Sequence, residues 1–119
     1  MQTITVNNHS FDFDIMDVET AERYEAAMQT VSDRVTALQA HKGLKNSESM
    51  RAQCEIVRDM VSSVLGAEAA EQLLSSDKPN LRESFAVFQA VFDAVEAQSK
   101  EASLGFKRVA DSIAAHKKA

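Results

Sequence analysis

The stretch that decides the fold of this chain runs from Leu81 to Ile113 and reads LRESFAVFQAVFDAVEAQSKEASLGFKRVADSI. Apolar or small residues recur in it at alternating steps of four and three, which is the spacing of one edge of an α-helix. Asn80 precedes the stretch as an N-cap, and Glu83 is placed to close a capping box. We call this edge the heptad seam; it comprises Leu81, Phe85, Phe88, Phe92, Val95, the polar Ser99, Ala102, Phe106, Val109 and Ile113.

The predicted helix is long for so small a chain. At about 1.5 Å per residue it measures roughly 50 Å, which is more than the width of a small domain. Gly105 lies inside it, and an interior glycine costs roughly 1 kcal/mol relative to alanine. Together with Ser99 and Ser103, this glycine marks residues 99–105 as the expected place for a kink or a break.

The two halves of the heptad seam carry different expectations. Phe85, Phe88 and Phe92 lie on one side of the helix, and an aromatic stripe at this spacing is expected to be core. The distal half either folds back as core against an earlier helix or projects as a surface that demands a partner. Its candidate partner-binding residues are Ala102, Phe106, Val109 and Ile113.

The first residues of the chain predict a β-hairpin. Residues 2–6 and 10–15 alternate apolar with polar side chains, and Asn7-Asn8-His9 between them is typical of a turn because Asn tolerates positive φ. A lone hairpin is marginal in water, so its apolar face should pack on a helix. The side chains expected on the apolar faces are Ile4, Val6, Phe11, Phe13 and Ile15.

The first predicted helix runs from Val18 to His41. Asp17 is its expected N-cap, Gly43 its expected C′ residue, and His41 and Lys42 belong to its last turn. Its apolar stripe follows helical spacing through Ala21, Tyr24, Met28, Val31, Val35 and Leu38.

The second predicted helix runs from Ser49 to Leu65, with Asn46 or Ser47 as its cap and Gly66 at its end. A short helix, Ala67 to Leu74, follows and presents Ala70, Leu73 and Leu74. Residues 75–79 (Ser-Ser-Asp-Lys-Pro) are the clearest loop. The second helix is expected to be the most buried, with a stripe of Met50, Cys54, Val57, Val61 and Val64 that Ile56, Met60 and Leu65 widen.

These segments predict one mostly α-helical domain. Its architecture is an N-terminal β-hairpin (1–16) packed on a bundle of three main helices plus one short helix (17–100), with a long C-terminal helix whose extension or tail covers 101–119. The length of 119 residues suits one domain, and 45% apolar residues can fill one core.

The net charge of −5 disfavours a protein that grips nucleic-acid phosphates. The charge is also unevenly spread, with acids concentrated in residues 11–25 and bases in residues 106–119. This distribution matches helix dipoles, or it forms an acidic face and a basic tail with different partners.

One cysteine allows no internal disulfide, and no run approaches the ~20 apolar residues that span a membrane. We therefore expect a cytoplasmic protein with no membrane contact.

Candidate chemical sites have simpler structural explanations. The acidic run Asp12, Asp14, Asp17 and Glu19 lacks the glycine and the twelfth-position acid of a calcium loop, so we interpret it as solvated surface. Cys54 lies on an apolar stripe and is expected to behave as a small buried hydrophobe. No metal-ligand spacing, phosphate loop or nucleophile motif is found, so we expect no enzyme, no cofactor and no catalytic residue.

The order of several segments resembles a known family. The first segments are the hairpin strands, Thr3-Ile4-Thr5-Val6 and Phe11-Asp12-Phe13-Asp14-Ile15, followed by the start of the first helix, Asp17-Val18-Glu19-Thr20-Ala21-Glu22-Arg23-Tyr24-Glu25. The later segments are Arg51-Ala52-Gln53-Cys54-Glu55-Ile56-Val57, Val64-Leu65-Gly66, and Asn80-Leu81 before the phenylalanine-bearing helix. Over about residues 2–100 this arrangement resembles the tail assembly chaperones of tailed phages and prophages of Gram-positive bacteria.

The resemblance implies assembly, not catalysis. Such proteins are thought to coat the long helical tape measure protein while tail tube subunits polymerise around it. The implied partners are thus a tape measure protein and a tail tube protein in the bacterial host cytoplasm, and the chain could also pair with copies of itself. Two alternatives stay open: a structural head–tail connector or tail-completion protein, and a small regulatory protein.

Overall fold

A computed structural model describes residues 2–75 and 77–118 of the chain. Within these residues it has a two-stranded antiparallel sheet followed by four helices, which confirms the predicted fold class. The elements are β1 (Thr3–Val6), β2 (His9–Asp12), α1 (Val18–Ala40), α2 (Asn46–Leu65), α3 (Ala67–Leu73) and α4 (Leu81–Lys118).

The hairpin closes through a two-residue loop. Val6 pairs with His9, so His9 belongs to β2 and not to the turn as predicted. Asn7 and Asn8 form the loop with φ of 49° and 67°. Positive φ at both central positions matches the twist of the flanking strands, and Asn tolerates it better than most residues. The predicted apolar residues all contact the core: Ile4, Val6, Phe11, Phe13 and Ile15.

The side chain of Gln98 on α4 fixes the chain that follows β2. Pairing ends at Asp12, not at Ile15 as predicted. Beyond that point the Gln98 Nε2 donates to the carbonyls of Phe13 (2.9 Å) and Thr3 (3.4 Å), and its Oε1 accepts from the Ile15 N–H (2.9 Å). Only 8% of Gln98 is exposed. One buried amide thus satisfies three backbone groups that no strand pairs.

Helix α2 lies at the centre of the body, with α1, α3 and α4 packed against it. The prediction that this helix is the most buried is confirmed for its second half, but Met50 is exposed. Gly66 ends α2 at φ 103°, a conformation that glycine adopts at little cost. The buried side chains of α2 are Cys54, Ile56, Val57, Met60, Val61 and Val64.

The buried face of α1 is narrower than predicted. Tyr24, Met28 and Val31 pack partly buried against the core as expected, but Val35 is exposed. Thr20 and Ala27, which the predicted stripe omitted, are the buried residues of this helix. Both side chains are small, which lets neighbouring elements approach α1 closely at these positions.

Helix α1 begins at Val18 as predicted and ends one residue earlier than predicted. Asp17 caps α1 as expected, accepting from the Glu19 N–H at 3.3 Å. The helix ends at Ala40, so His41 and Lys42 follow it, although Gly43 does adopt a positive φ of 88°.

Helix α2 begins three residues earlier than predicted. Lys45 is its N-cap, where Asn46 or Ser47 was expected. The Glu48 carboxylate accepts from the Lys45 N–H at 3.1 Å, so the side chain at the N3 position satisfies the cap from inside the helix.

Asn80 caps α4 as predicted, with its Oδ1 accepting from the Glu83 N–H at 3.1 Å. The Glu83 carboxylate does not close the capping box; it accepts instead from the Ser75 N–H at 2.8 Å and ties the preceding loop to the helix. Ser76, part of the predicted loop, lies outside the described residues. The short helix α3 ends at Leu73, one residue before the predicted end, and Leu74 is its C-cap. Ala70, Leu73 and Leu74 lie in the core as predicted.

The core face of α4 is not the predicted aromatic stripe. Val87, Val91 and Val95 are at most 1% exposed, whereas 51% of Phe85 is exposed. Phe88 and Phe92 are partly buried and stack on each other, with ring centroids 6.5 Å apart. Short valines let α2 and β1 approach α4 closely, so the larger rings are left at the edge of the contact.

Helix α4 is continuous through Gly105, so the break expected at residues 99–105 does not occur. One glycine costs about 1 kcal/mol, which the good helix formers around it offset. The helix of 38 residues measures roughly 57 Å. The molecule extends 67 × 32 × 21 Å, so α4 accounts for most of its long axis.

We expect Gln98→Leu to lower the free energy of unfolding by about 2–4 kcal/mol, because it leaves buried backbone groups without partners. Urea denaturation followed by circular dichroism measures the change. The matched control is Gln89→Leu, an exposed glutamine on the same helix that bonds only Asp93. Equal effects of the two substitutions would show that the buried amide does not hold the hairpin.

We expect the pKa of Tyr24 to lie above its ordinary value of 10.0 in the folded chain. Burial raises the pKa of this phenol, and the nearby negative charge of Glu96 raises it further. Its hydroxyl has no hydrogen-bond partner in the described part of the chain. A raised folded pKa means that full stability is kept below pH 10 and is lost as the pH rises through the folded value.

The measurement is direct, because the chain holds one tyrosine and no tryptophan. Ultraviolet titration of the folded chain should give a midpoint above that of the chain in denaturant. The variant Tyr24→Phe should be no less stable at neutral pH and should lose less stability in alkali. Identical midpoints in the folded and denatured chain would contradict the burial of this hydroxyl.

Candidate partner-binding surface

The distal part of α4 leaves the body and carries an exposed apolar edge. Every residue from 103 to 117 is exposed. The exposed fractions are 77% for Phe106, 57% for Val109 and 52% for Ile113, and Ala102 is half-buried at the point of departure. Of the two interpretations left open by the sequence, core packing against an earlier helix is therefore wrong. We call Ala102, Phe106, Val109 and Ile113 the distal seam.

The distal seam lies on the same helix face as the core. In an α-helix, residues seven apart nearly coincide around the axis. Val95, which is 1% exposed, Ala102 and Val109 are spaced in this way along α4. The face that the body covers at Val95 thus continues uncovered along the distal half. Leu104 is also exposed, but it lies on the opposite side of the helix.

The body ends where Gln98 bonds to the chain after the hairpin. That hydrogen bond places Ile15 beside α4 one turn before Ala102. The next apolar residues of this edge, Met16 and Val18, are exposed. We call these two exposed residues, which follow Ile15 in the chain, the ledge. Sequence reasoning did not single them out, because they precede and begin a helix and belong to no periodic stripe.

The distal segment and the body carry opposite net charges. Residues 100–119 hold five bases and two acids, whereas residues 1–99 hold eight bases and sixteen acids. Lys107 and Arg108 follow Phe106 directly, about 100° and 160° round the helix from it, so they lie away from the distal seam on the side of Leu104.

A partly apolar groove lies beside the start of α4, at the other end of this helix from the distal seam. Leu44, Met50, Pro79 and Leu81 line it, and Cys54 forms part of its wall. Cys54 is buried, as predicted, and is a free thiol. The groove combines apolar walls with both acidic and basic side chains, so its chemistry is mixed.

The remaining candidate residues are spread over the surface. Asp14 accepts from the Met16 N–H at 3.0 Å, and Asp17 caps α1, so two of the four acids in the early cluster have structural roles. Within residues 2–75 and 77–118, no three His, Cys, Asp or Glu side chains are grouped to hold a metal ion. In that same part of the chain, each helix is too short or too polar to cross a membrane.

Comparison with known proteins gives one match. No curated protein and no solved structure matches the chain. A family model described as a family of unknown function, DUF6673, matches residues 7–117. That range runs from the hairpin turn to the end of α4 and includes the whole distal seam. The chain therefore belongs to the DUF6673 family.

Proposed function

We propose that this chain is a phage tail assembly chaperone, which covers the apolar helix surface of a tape measure protein and gives way to tail tube subunits. The single observation that carries the proposal is the distal seam, the continuation of the core face beyond the body. Apolar residues with the spacing of a helix core that are exposed to water favour binding to the apolar face of another protein.

The energetics favour reversible binding. Full burial of a Val, Ile or Phe side chain contributes about 1.5–3 kcal/mol. The three large residues of the distal seam are 52–77% exposed, so covering the area that is open contributes roughly 3–5 kcal/mol. That gain counts only this chain's side of the contact, and association costs about 4–15 kcal/mol. The partner's own apolar burial must supply the rest, so net binding through the seam is weak. Weak binding suits a chaperone that tube subunits must displace.

The identity of the partner comes from the resemblance described above. The segments of this chain that carry the resemblance lie in the hairpin, α1, α2 and the start of α4, which together form the body. The distal seam lies beyond them and supplies the surface on which a helical partner can pack. The proposed place of action is the cytoplasm of the bacterial host, where tails assemble.

We expect co-expression with the tape measure protein of the same phage or prophage to keep that protein soluble and to give a complex on size-exclusion chromatography. The variant Phe106→Asp/Val109→Asp should abolish both effects, because it places charges in the apolar contact. All three residues involved in the test and its control are exposed, so the fold should be unaffected.

The matched control is Leu104→Asp. Leu104 is 55% exposed on the same helix but faces away from the distal seam, so this variant should still form the complex. A tape measure protein that is equally soluble with and without the chain would contradict the proposal. So would the presence of the chain in purified phage particles at a fixed copy number, which indicates a permanent component.

A further inference from the structure

We propose that two copies of this chain pair through their distal seams, side by side and in opposite directions. The pairing needs no other protein, so it stands or falls independently of the proposed function. The residues on and around the distal seam make this face complementary to itself.

The sides of the distal seam carry small, uncharged residues. At about 100° per residue, Ser103 and Ala110 lie on one side, and Gly105 and Ser112 lie on the other. The charged residues of the segment 100–115 lie more than about 100° from the centre of the seam, on the back of the helix. They are Lys100, Glu101, Lys107, Arg108 and Asp111. Two such faces therefore meet without like-charge repulsion, and their small flanks let the helices approach closely.

The spacing of the distal seam is the same when read in either direction. Its steps are four, three and four residues, so a second copy can pack against it antiparallel with every seam residue opposite another. In this register Ala102 lies opposite Ile113 of the second copy. Phe106 lies opposite Val109 of the second copy, so each larger side chain meets a smaller one. A shift of one heptad either way places Phe106 or Val109 opposite a polar residue.

The ends of this contact carry complementary charges. Lys117, exposed in the last described turn of α4, lies on the same side of the helix as Ser103 and Ala110. In the antiparallel register it comes beside Glu96 of the second copy, which is also exposed. Two-fold symmetry repeats this ion pair at both ends. Exposed ion pairs add little affinity, but they favour one direction and one register.

Pairing in the same direction is sterically blocked. The body covers α4 at Val95 on the face that continues as the distal seam. In a parallel pair the two bodies lie at the same end, each in the space that the other helix needs. An antiparallel pair places the bodies at opposite ends, and only the tip of each helix comes near the partner's body.

The size of the contact predicts a weak dimer. The exposed parts of Phe106, Val109 and Ile113 amount to roughly 300–400 Å² in each copy, below the ~800 Å² per partner of a stable interface. The pair therefore forms at high protein concentration and leaves the distal seam open at low concentration.

Sedimentation velocity of the full chain tests the pairing. We expect monomer at about 10 µM and a growing share of dimer towards about 1 mM, the range of weak complexes. The variant Phe106→Asp/Val109→Asp should stay monomeric throughout, because it places charges in the apolar contact. The matched control Leu104→Asp, on the back of the same helix, should dimerise like the natural chain.

Disulfide cross-linking tests the direction. The variants Ala102→Cys and Ile113→Cys should cross-link when they are mixed, but neither should cross-link alone. In the antiparallel pair, two copies of the same residue lie about 16 Å apart along the axis, beyond the ~7 Å between Cα atoms that a disulfide spans. Cys54 is buried and common to every sample, so the natural chain gives the background on a non-reducing gel.

Charge exchange tests the register. Lys117→Glu should raise the dissociation constant of the dimer about tenfold, because it sets two acids side by side at each end. Adding Glu96→Lys to the same chain should restore the dimer.

A chain that sediments as a monomer up to about 1 mM would overturn the proposal. So would a dimer that survives Phe106→Asp/Val109→Asp, since it lies on another surface, and so would cross-linking of each cysteine variant with itself, which indicates a parallel pair. These outcomes leave the proposed function standing, because co-expression with the tape measure protein tests it separately.

Discussion

The body of this protein is long enough to cover α4 only as far as Gln98. Helix α2, with 20 residues, measures about 30 Å, and the strands of the hairpin have four residues each. Helix α4 has 38 residues and is almost twice as long as α2. Since no described element accompanies its last turns, the same face that is buried at Val95 is open at Phe106. The mismatch in length creates the candidate surface.

Gln98 marks this boundary chemically. It lies on the core face of α4, one turn after Val95, and its amide serves backbone groups of the hairpin and of the segment that follows. A polar residue in this register ends the dry core and fastens the hairpin there. Beyond Ala102, α4 is held by its own backbone hydrogen bonds, and its apolar side chains are open to water.

Much of the fold could be predicted from sequence because local chemistry decides it. The paired Asn residues give the hairpin turn, Asp17 and Asn80 give two helix starts, and Gly66 gives a helix end. The choice of core face on α4 could not be predicted. The predicted stripe of Leu and Phe and the observed stripe of Val lie less than about 100° apart around the helix axis, the rotation between neighbouring residues, so both have helical spacing. Close approach of α2 and β1 selects the valines, and that approach is a tertiary property.

The candidate site could be predicted in part. Ala102, Phe106, Val109 and Ile113 were identified by spacing, but spacing is identical for a core and for an interface. Only the lengths of the other elements decide between them. The ledge of Met16 and Val18 had no periodic signal. Gln98 did have a periodic signal, because it lies between Val95 and Ala102 on an otherwise apolar face. A polar residue in such a position indicates a buried hydrogen bond.

The most direct measurement of the central claim is the fluorescence of Phe106→Trp. The natural chain contains no tryptophan, so the emission reports this position alone. In the free chain, at a concentration where sedimentation shows a monomer, we expect the emission of a water-exposed indole, close to that of the same variant in denaturant. A blue-shifted emission from the free monomer would mean that the distal seam is already covered, and would contradict the account.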